Sequence, residues 1–255
     1  MLDSIRGWRL SILPFESYHL CEHVYASQFR DELILLDAKR DKYIICSKQL
    51  SELLLGLVGV SYSKSSFSPT SDNKTDLEML ISDGIIEKKV ELYPYCIDQK
   101  SDSQGVSNVD WRLPLDGKKA KLNLLVLEAL ITLVKVHFCI QIRGFYRAIQ
   151  LIKKAHKIQS NYIIPTTPEL DDLARIVNKA CLIYPRRTKC LEWAMTFVFL
   201  ALKRKWKCNL EVGVQNYPFM AHAWVECDGK VIMDSQDLRE GLAIILNEPF
   251  RKFKI

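Results

Sequence analysis

Three residues of this 255-residue chain have the types and order that covalent acyl chemistry needs: Cys190, then His222, then Asp234. Cys190 stands where Leu191, Ala194, Met195, Val198 and Leu202 form one apolar stripe, flanked by Trp193 and Phe197. That stripe predicts a helix from Lys189 to about Lys205, with Thr188 as its N-cap. In the first turn of a helix the unpaired amides and the dipole favour an anion, which lowers a thiol pKa. The same amides can face a developing oxyanion. His222 opens the predicted strand Ala221 to Glu226, and Asp234 closes the predicted strand Lys230 to Asp234. A carboxylate on one ring nitrogen fixes the tautomer of a histidine whose other nitrogen takes the thiol proton and returns it to a leaving amine.

Each residue also has an ordinary reading: a buried core thiol, a satisfied strand histidine, a turn aspartate. Their shared order and placement argue for the chemical one. Register then becomes decisive. If Cys227-Asp228-Gly229 is a three-residue loop with Gly229 left-handed, Glu226 pairs with Lys230 and His222 lies opposite Asp234. A two-residue Asp-Gly turn slips the register by one and puts them on opposite faces. The catalytic reading therefore predicts the longer loop. Trp224 shares the face of His222, either as a cleft wall or as a core aromatic.

These residues need a scaffold, and the composition supplies one. With 48% apolar and 26% charged residues the chain suits a soluble globular protein of one large or two modest domains. The net charge of +6 is dispersed; Lys118 to Lys121, Lys153-Lys154 and Lys203 to Lys205 read as solvated helix faces, and no nucleic-acid partner is expected. Met1 to Leu20 interrupts its apolar residues with Arg6, Arg9, Glu16 and His19, so no secretory signal and a cytoplasmic location are expected. Leu122 to Ile142 is long enough to span a bilayer but carries Glu128, Lys135 and His137, which favours a core helix over membrane insertion. None of the eight cysteines forms a C-x-x-C pair, so neither bridges nor a metal are expected. No Gly-rich phosphate loop occurs.

Before the catalytic stretch, Tyr18 to Tyr25, Glu32 to Asp37 and Lys42 to Cys46 read as strands. Ser47 caps a helix to Leu57, and a second helix from Asp76 to Ser82 stops at Asp83-Gly84 before the strand Ile85 to Val90. Asp98 to Gly105 is polar and turn-rich and reads as a linker. Helical spacing resumes from Lys118 to about Gln159 with a break near Gly144. Another helix starts at Thr167-Pro168 and runs to Ile183.

Two stretches carry resemblances. Leu35-Leu36-Asp37, Tyr43-Ile44-Ile45 and Leu80-Ile81-Ser82-Asp83-Gly84-Ile85-Ile86 resemble the PqqD-like recognition element of peptide-modifying enzymes. That resemblance implies a leader peptide added as a strand beside Tyr43, Ile44, Ile45 and Cys46 and lying against Leu77, Leu80 and Ile81. The alternative is a closed winged-helix core. From Cys190-Leu191-Glu192 through Gly213-Val214-Gln215, Pro218-Phe219, Ala221 to Glu226 and Gly229 to Asp234, the chain resembles the transglutaminase-like leader peptidase of lasso-peptide clusters, the B protein. Trp111-Arg112-Leu113-Pro114 is similar to the form in which both units share one chain. The resemblance implies an α+β protein: a winged-helix-like PqqD-like domain at 1-95, a linker at 96-110 and a papain/transglutaminase-like cysteine protease domain at 111-255. It implies a catalytic Cys190, His222 and Asp234, no bound cofactor or metal, and a precursor peptide as substrate. It further implies an asparagine-synthetase-like cyclase as partner, with any ATP dependence residing there. Acyl transfer to an amine and a non-catalytic adaptor are the other readings.

Overall fold

A computed structural model describes residues 17–58, 71–107, 111–114, 123–157 and 160–254. The first half holds β1 (Ser17–Leu20), β2 (Val24–Phe29), β3 (Glu32–Asp37), β4 (Lys42–Ile45), α1 (Lys48–Val58), α2 (Ser71–Ser82) and β5 (Ile86–Lys89). The strand expected over Tyr18 to Tyr25 is two strands in two sheets. β1 pairs with β5, Ser17 opposite Lys89, while β2 pairs with β3, Val24 opposite Asp37. A tight turn divides them, with Val24 N–H donating to the Cys21 carbonyl at 2.8 Å. Ser47 caps α1 as expected, its Oγ accepting from Leu50 N–H at 3.3 Å. α2 ends at Gly84, whose φ of 68° lets Ile85 N–H return to the Leu80 carbonyl.

The stretch read as a linker is built into the sheet instead. Asp98–Lys100 form β6, parallel to β2, completing the order β4-β3-β2-β6. Two polar side chains of this stretch bond neighbouring main chain, while Gln99, Ser101, Asp102 and Gln104 face solvent. Asp98 Oδ2 accepts from Ile244 N–H at 2.8 Å, and Ser103 Oγ donates to the Gly241 carbonyl at 2.7 Å. Gly105, at φ 75°, passes so close to Gln215 that a Cβ there would stand 2.6 Å from Oε1.

Both faces of the two central strands of this sheet, β2 and β3, are buried. Val24, Ala26, Leu33 and Leu35 pack under α1 and α2 with Leu54, Leu80 and Ile86. The alternate residues Tyr25, Phe29, Ile34 and Leu36 join one core with the helices and strands of the second half. The two halves therefore share a core through a single sheet.

The second half begins with α3 (Leu124–Phe138), a π-helical turn at Cys139–Arg143 and α4 (Gly144–Ala155). Gly144, at φ 79°, marks the break read from the sequence. Val126, Ala129, Leu133 and Val136 turn inward, whereas Leu124, Leu127 and Ile131 are exposed. Among the described residues, Leu124–Ala155 is long and apolar enough to cross a membrane, with 33% of its most apolar window buried. α5 (Thr167–Ile183) is capped by Thr166, one residue before the expected cap, and Glu169 accepts from Thr166 N–H at 2.7 Å. Then follow α6 (Cys190–Lys203), β7 (Asn209–Gln215), β8 (Met220–Cys227), β9 (Lys230–Ile232), α7 (Asp237–Gly241) and β10 (Ala243–Glu248), the strands ordered β10-β7-β8-β9. α6 packs on β8, and β10 lies over β2.

Candidate active site

α6 starts one residue later than its apolar pattern suggests. Lys189 is the N-cap, Thr188 is buried just before it, and Cys190 is the first helical residue. Glu192 holds this start, its Oε2 accepting from Lys189 N–H at 2.8 Å. Glu192 Oε1 lies 2.8 Å from His137 Nδ1, and Arg186 Nη1 lies 3.3 Å from His137 Nε2. An Arg186 donor makes Nε2 the acceptor, so Nδ1 carries the proton and donates to Glu192. This support was missed in the sequence, where His137 counted only as a charge within an apolar run. A Glu at the third helical position was the available signal. Trp193, Ala194, Met195, Phe197 and Val198 bury the rest of the helix and fix where its first turn points.

The hairpin does not use the longer loop. Cys227 pairs with Lys230 and Val225 with Ile232, around a two-residue Asp228-Gly229 turn with φ of 50° and 83°. Continued pairing in that register would keep His222 and Asp234 apart, as expected. The pairing stops at Ile232, however, and Met233 adopts φ 55°. That left-handed residue redirects the chain, and Asp234 Oδ2 comes to lie 2.8 Å from His222 Nε2. Asp234 Oδ1 accepts from Ser235 N–H at 2.9 Å, which holds the carboxylate. The triad is thus assembled by a break in the strand, where the sequence reading required a bulged loop.

The remaining nitrogen of His222 serves Cys190. Burial alone would raise the Cys190 pKa, but hydrogen bonds from His222 and from the amides of Ala223 and Leu191, with the charge of His222, bring it below the ordinary thiol value. Burial alone would lower that of His222. Asp234 and the Cys190 thiolate outweigh it and lift the imidazole to about 9. Each group thus favours the charged form of the other. Trp224 is a core aromatic: it is buried with Val231, Leu238 and Leu242, donates to Glu211 Oε2 at 3.0 Å, and its ring centroid lies 6.0 Å from that of His222.

The residues expected to bind a leader separate into three groups. Cys46 and Leu80 are buried core, and Leu77 packs partly against them. Ile44, Ile45 and Ile81 are 37%, 42% and 38% exposed, and β4 is an edge strand whose outer side has no partner strand among the described residues. Tyr43 faces away from Ile44, on the side of the sheet that it shares with Ile45. It packs against the same core as Cys190 and its ring centroid is 5.2 Å from that of Phe219. Burial, Asp41 and Cys190 push its pKa up to about 12. The hairpin bearing Phe219 is tied to the first half by Asn216 Nδ2 donating to Glu32 Oε2 at 2.6 Å and Tyr217 Oη to Glu32 Oε1 at 3.1 Å.

A partly buried cysteine at a helix start, a histidine on the adjacent strand and a carboxylate behind it are the parts of a thiol acyl-transfer site. Residues 132–247, which contain all three, match the family model described as Transglutaminase-like superfamily, so the chain carries a transglutaminase-like domain. It is also 32% identical over 59 residues to the Microcin J25-processing protein McjB of Escherichia coli, a match covering 23% of this chain and 28% of that protein. No solved structure gives a significant match.

Proposed function

We propose that this protein is a cysteine peptidase that captures the leader of a ribosomally made lasso-peptide precursor and hydrolyses the bond between leader and core. The observation that carries this reading is the meeting of Asp234 and His222 at 2.8 Å beside Cys190, the first residue of α6. The likeness to a microcin-processing protein and the unpaired edge of β4 support the substrate class.

The Cys190 thiolate attacks the carbonyl carbon of the scissile bond, and the helix-start amides face the oxyanion. His222 gives its proton to the departing amine of the core, leaving the leader as a thioester. Water then attacks the thioester with His222 as base, freeing the leader carboxylate and restoring the thiol. Asp234 orients the imidazole throughout. On the recognition side, main-chain bonding along β4 supplies affinity, and Ile44, Ile45 and Ile81 supply side-chain contacts. Residues 17–95 act as the PqqD-like element. The freed amine passes to a separate cyclase, which we assign any use of ATP, and the reaction takes place in the cytoplasm where the precursor is made.

The test is a mass time-course of the precursor peptide encoded beside this chain, with the intact protein and with Cys190→Ala, in the presence and absence of the cyclase. Free leader and core from the intact protein alone are the expected products. A leader conjugated to an added amine would show transferase chemistry, and undiminished core release by Cys190→Ala would leave only an adaptor role.

A further inference from the structure

The first and second halves meet beside the nucleophile, and what lies there is aromatic. Tyr43 comes from the edge strand β4; Phe219 comes from the chain entering β8, three residues before His222. Their centroids are 5.2 Å apart at an interplanar angle of 57°, and Phe219 keeps 44% of its surface exposed. Strand alternation turns Tyr43 toward the second half, because its partner Leu36 belongs to the shared core. Ala221, between Phe219 and His222, is exposed, whereas His222 is buried on the opposite side of β8. Cys190 contributes to the raised pKa of Tyr43, in agreement with this proximity.

We propose that Tyr43 and Phe219 form the wall of the substrate cleft that seats a non-polar side chain on the leader side of the scissile bond. This rests on the peptidase reading, since only a peptide held along β4 and cleaved at Cys190 would cross that wall. Tyr43 thereby joins recognition to chemistry. It is a specificity-determining residue, and its ring rather than its hydroxyl does the work, because two aromatic faces gain most from apolar area removed from water.

The test uses the full chain and two versions of the precursor, one with leucine and one with glycine immediately before the scissile bond. In the Cys190→Ala background, calorimetric Kd values are compared for Tyr43→Ala, Phe219→Ala and Tyr43→Phe. The wall predicts that both alanine variants weaken the leucine peptide about tenfold, the effect of losing a side chain's apolar contact. It predicts no change for the glycine peptide, and Tyr43→Phe matching the parent. With Cys190 intact, kcat/KM follows the same pattern. Equal weakening of both peptides, no weakening of either, or a Tyr43→Phe as defective as Tyr43→Ala overturns the proposal. Failure of the intact protein to cleave either peptide instead overturns the peptidase reading, while the Kd comparison still decides the wall.

Discussion

A thiolate is favoured where its charge is met, and at the partly buried Cys190 it is met from two directions, by the charge of His222 and by the amides of Leu191 and Ala223. Because the two groups titrate as a pair, kcat/KM against pH is bell-shaped, rising as the depressed thiol ionises and falling as His222 loses its proton near 9. Asp234 contributes to the raised histidine value, so Asp234→Asn moves the alkaline limb to lower pH. It also lowers kcat by about a hundred- to ten-thousandfold, the range seen when a triad carboxylate is neutralised. An unmoved alkaline limb would show that Asp234 does not set the imidazole. Removing the thiolate acts in the same direction: His222 followed by NMR in Cys190→Ala titrates below about 9. At this scale the residue types and their order were fully legible, because a helix start and two strand ends constrain what a Cys, a His and an Asp can do there.

The elements hold a detail that alternation alone could not give. Counting residues across an ideal hairpin demands a three-residue loop to bring His222 to Asp234, yet the turn is Asp228-Gly229 and the correction comes from Met233 at φ 55°. Nothing in a methionine advertises a left-handed backbone, so no sequence signal marked the place. Met233→Gly, which adopts that conformation without a Cβ penalty, keeps activity and stability near the parent. Met233→Ile puts a β-branched residue there, costs about 1–3 kcal/mol, and lowers kcat by displacing Asp234. Equal kinetics for the two variants would separate the backbone break from the triad. The same limit applies to Asp98 and Ser103, whose polarity read as solvation because the sequence does not show the main chain of Ile244 and Gly241 that they bond. Gly213 is a third case. A Cβ there would stand 2.4 Å from Trp224 and 2.8 Å from Leu242, so Gly213→Ala lowers the melting temperature through overpacking worth about 1–3 kcal/mol.

Over the whole molecule, the four-stranded sheet of the first half supplies one wall of the core of the second. Tyr25, Phe29, Ile34 and Leu36 belong to the same buried core as residues of α3, α6 and β8, and β10 lies against their strands. Leu36→Ala therefore costs about 2–5 kcal/mol and lowers the unfolding midpoint of the transglutaminase-like half along with the first, as one transition in denaturant. Two separated transitions would show that the halves fold independently. A fused core also fixes the distance between the β4 edge and Cys190; under the proposed function a leader held along β4 would present its following bond at high local concentration, and the cleft itself would need few pockets. The central claim is that Cys190 carries the leader as a thioester between capture and release. Rapid acid quenching of the protein during turnover of the precursor, followed by intact mass measurement, tests it most directly. The account predicts a transient adduct of the protein plus the leader less one water, mapped to Cys190 and absent in Cys190→Ala. Precursor cleavage that proceeds without this adduct and persists in Cys190→Ala would contradict it.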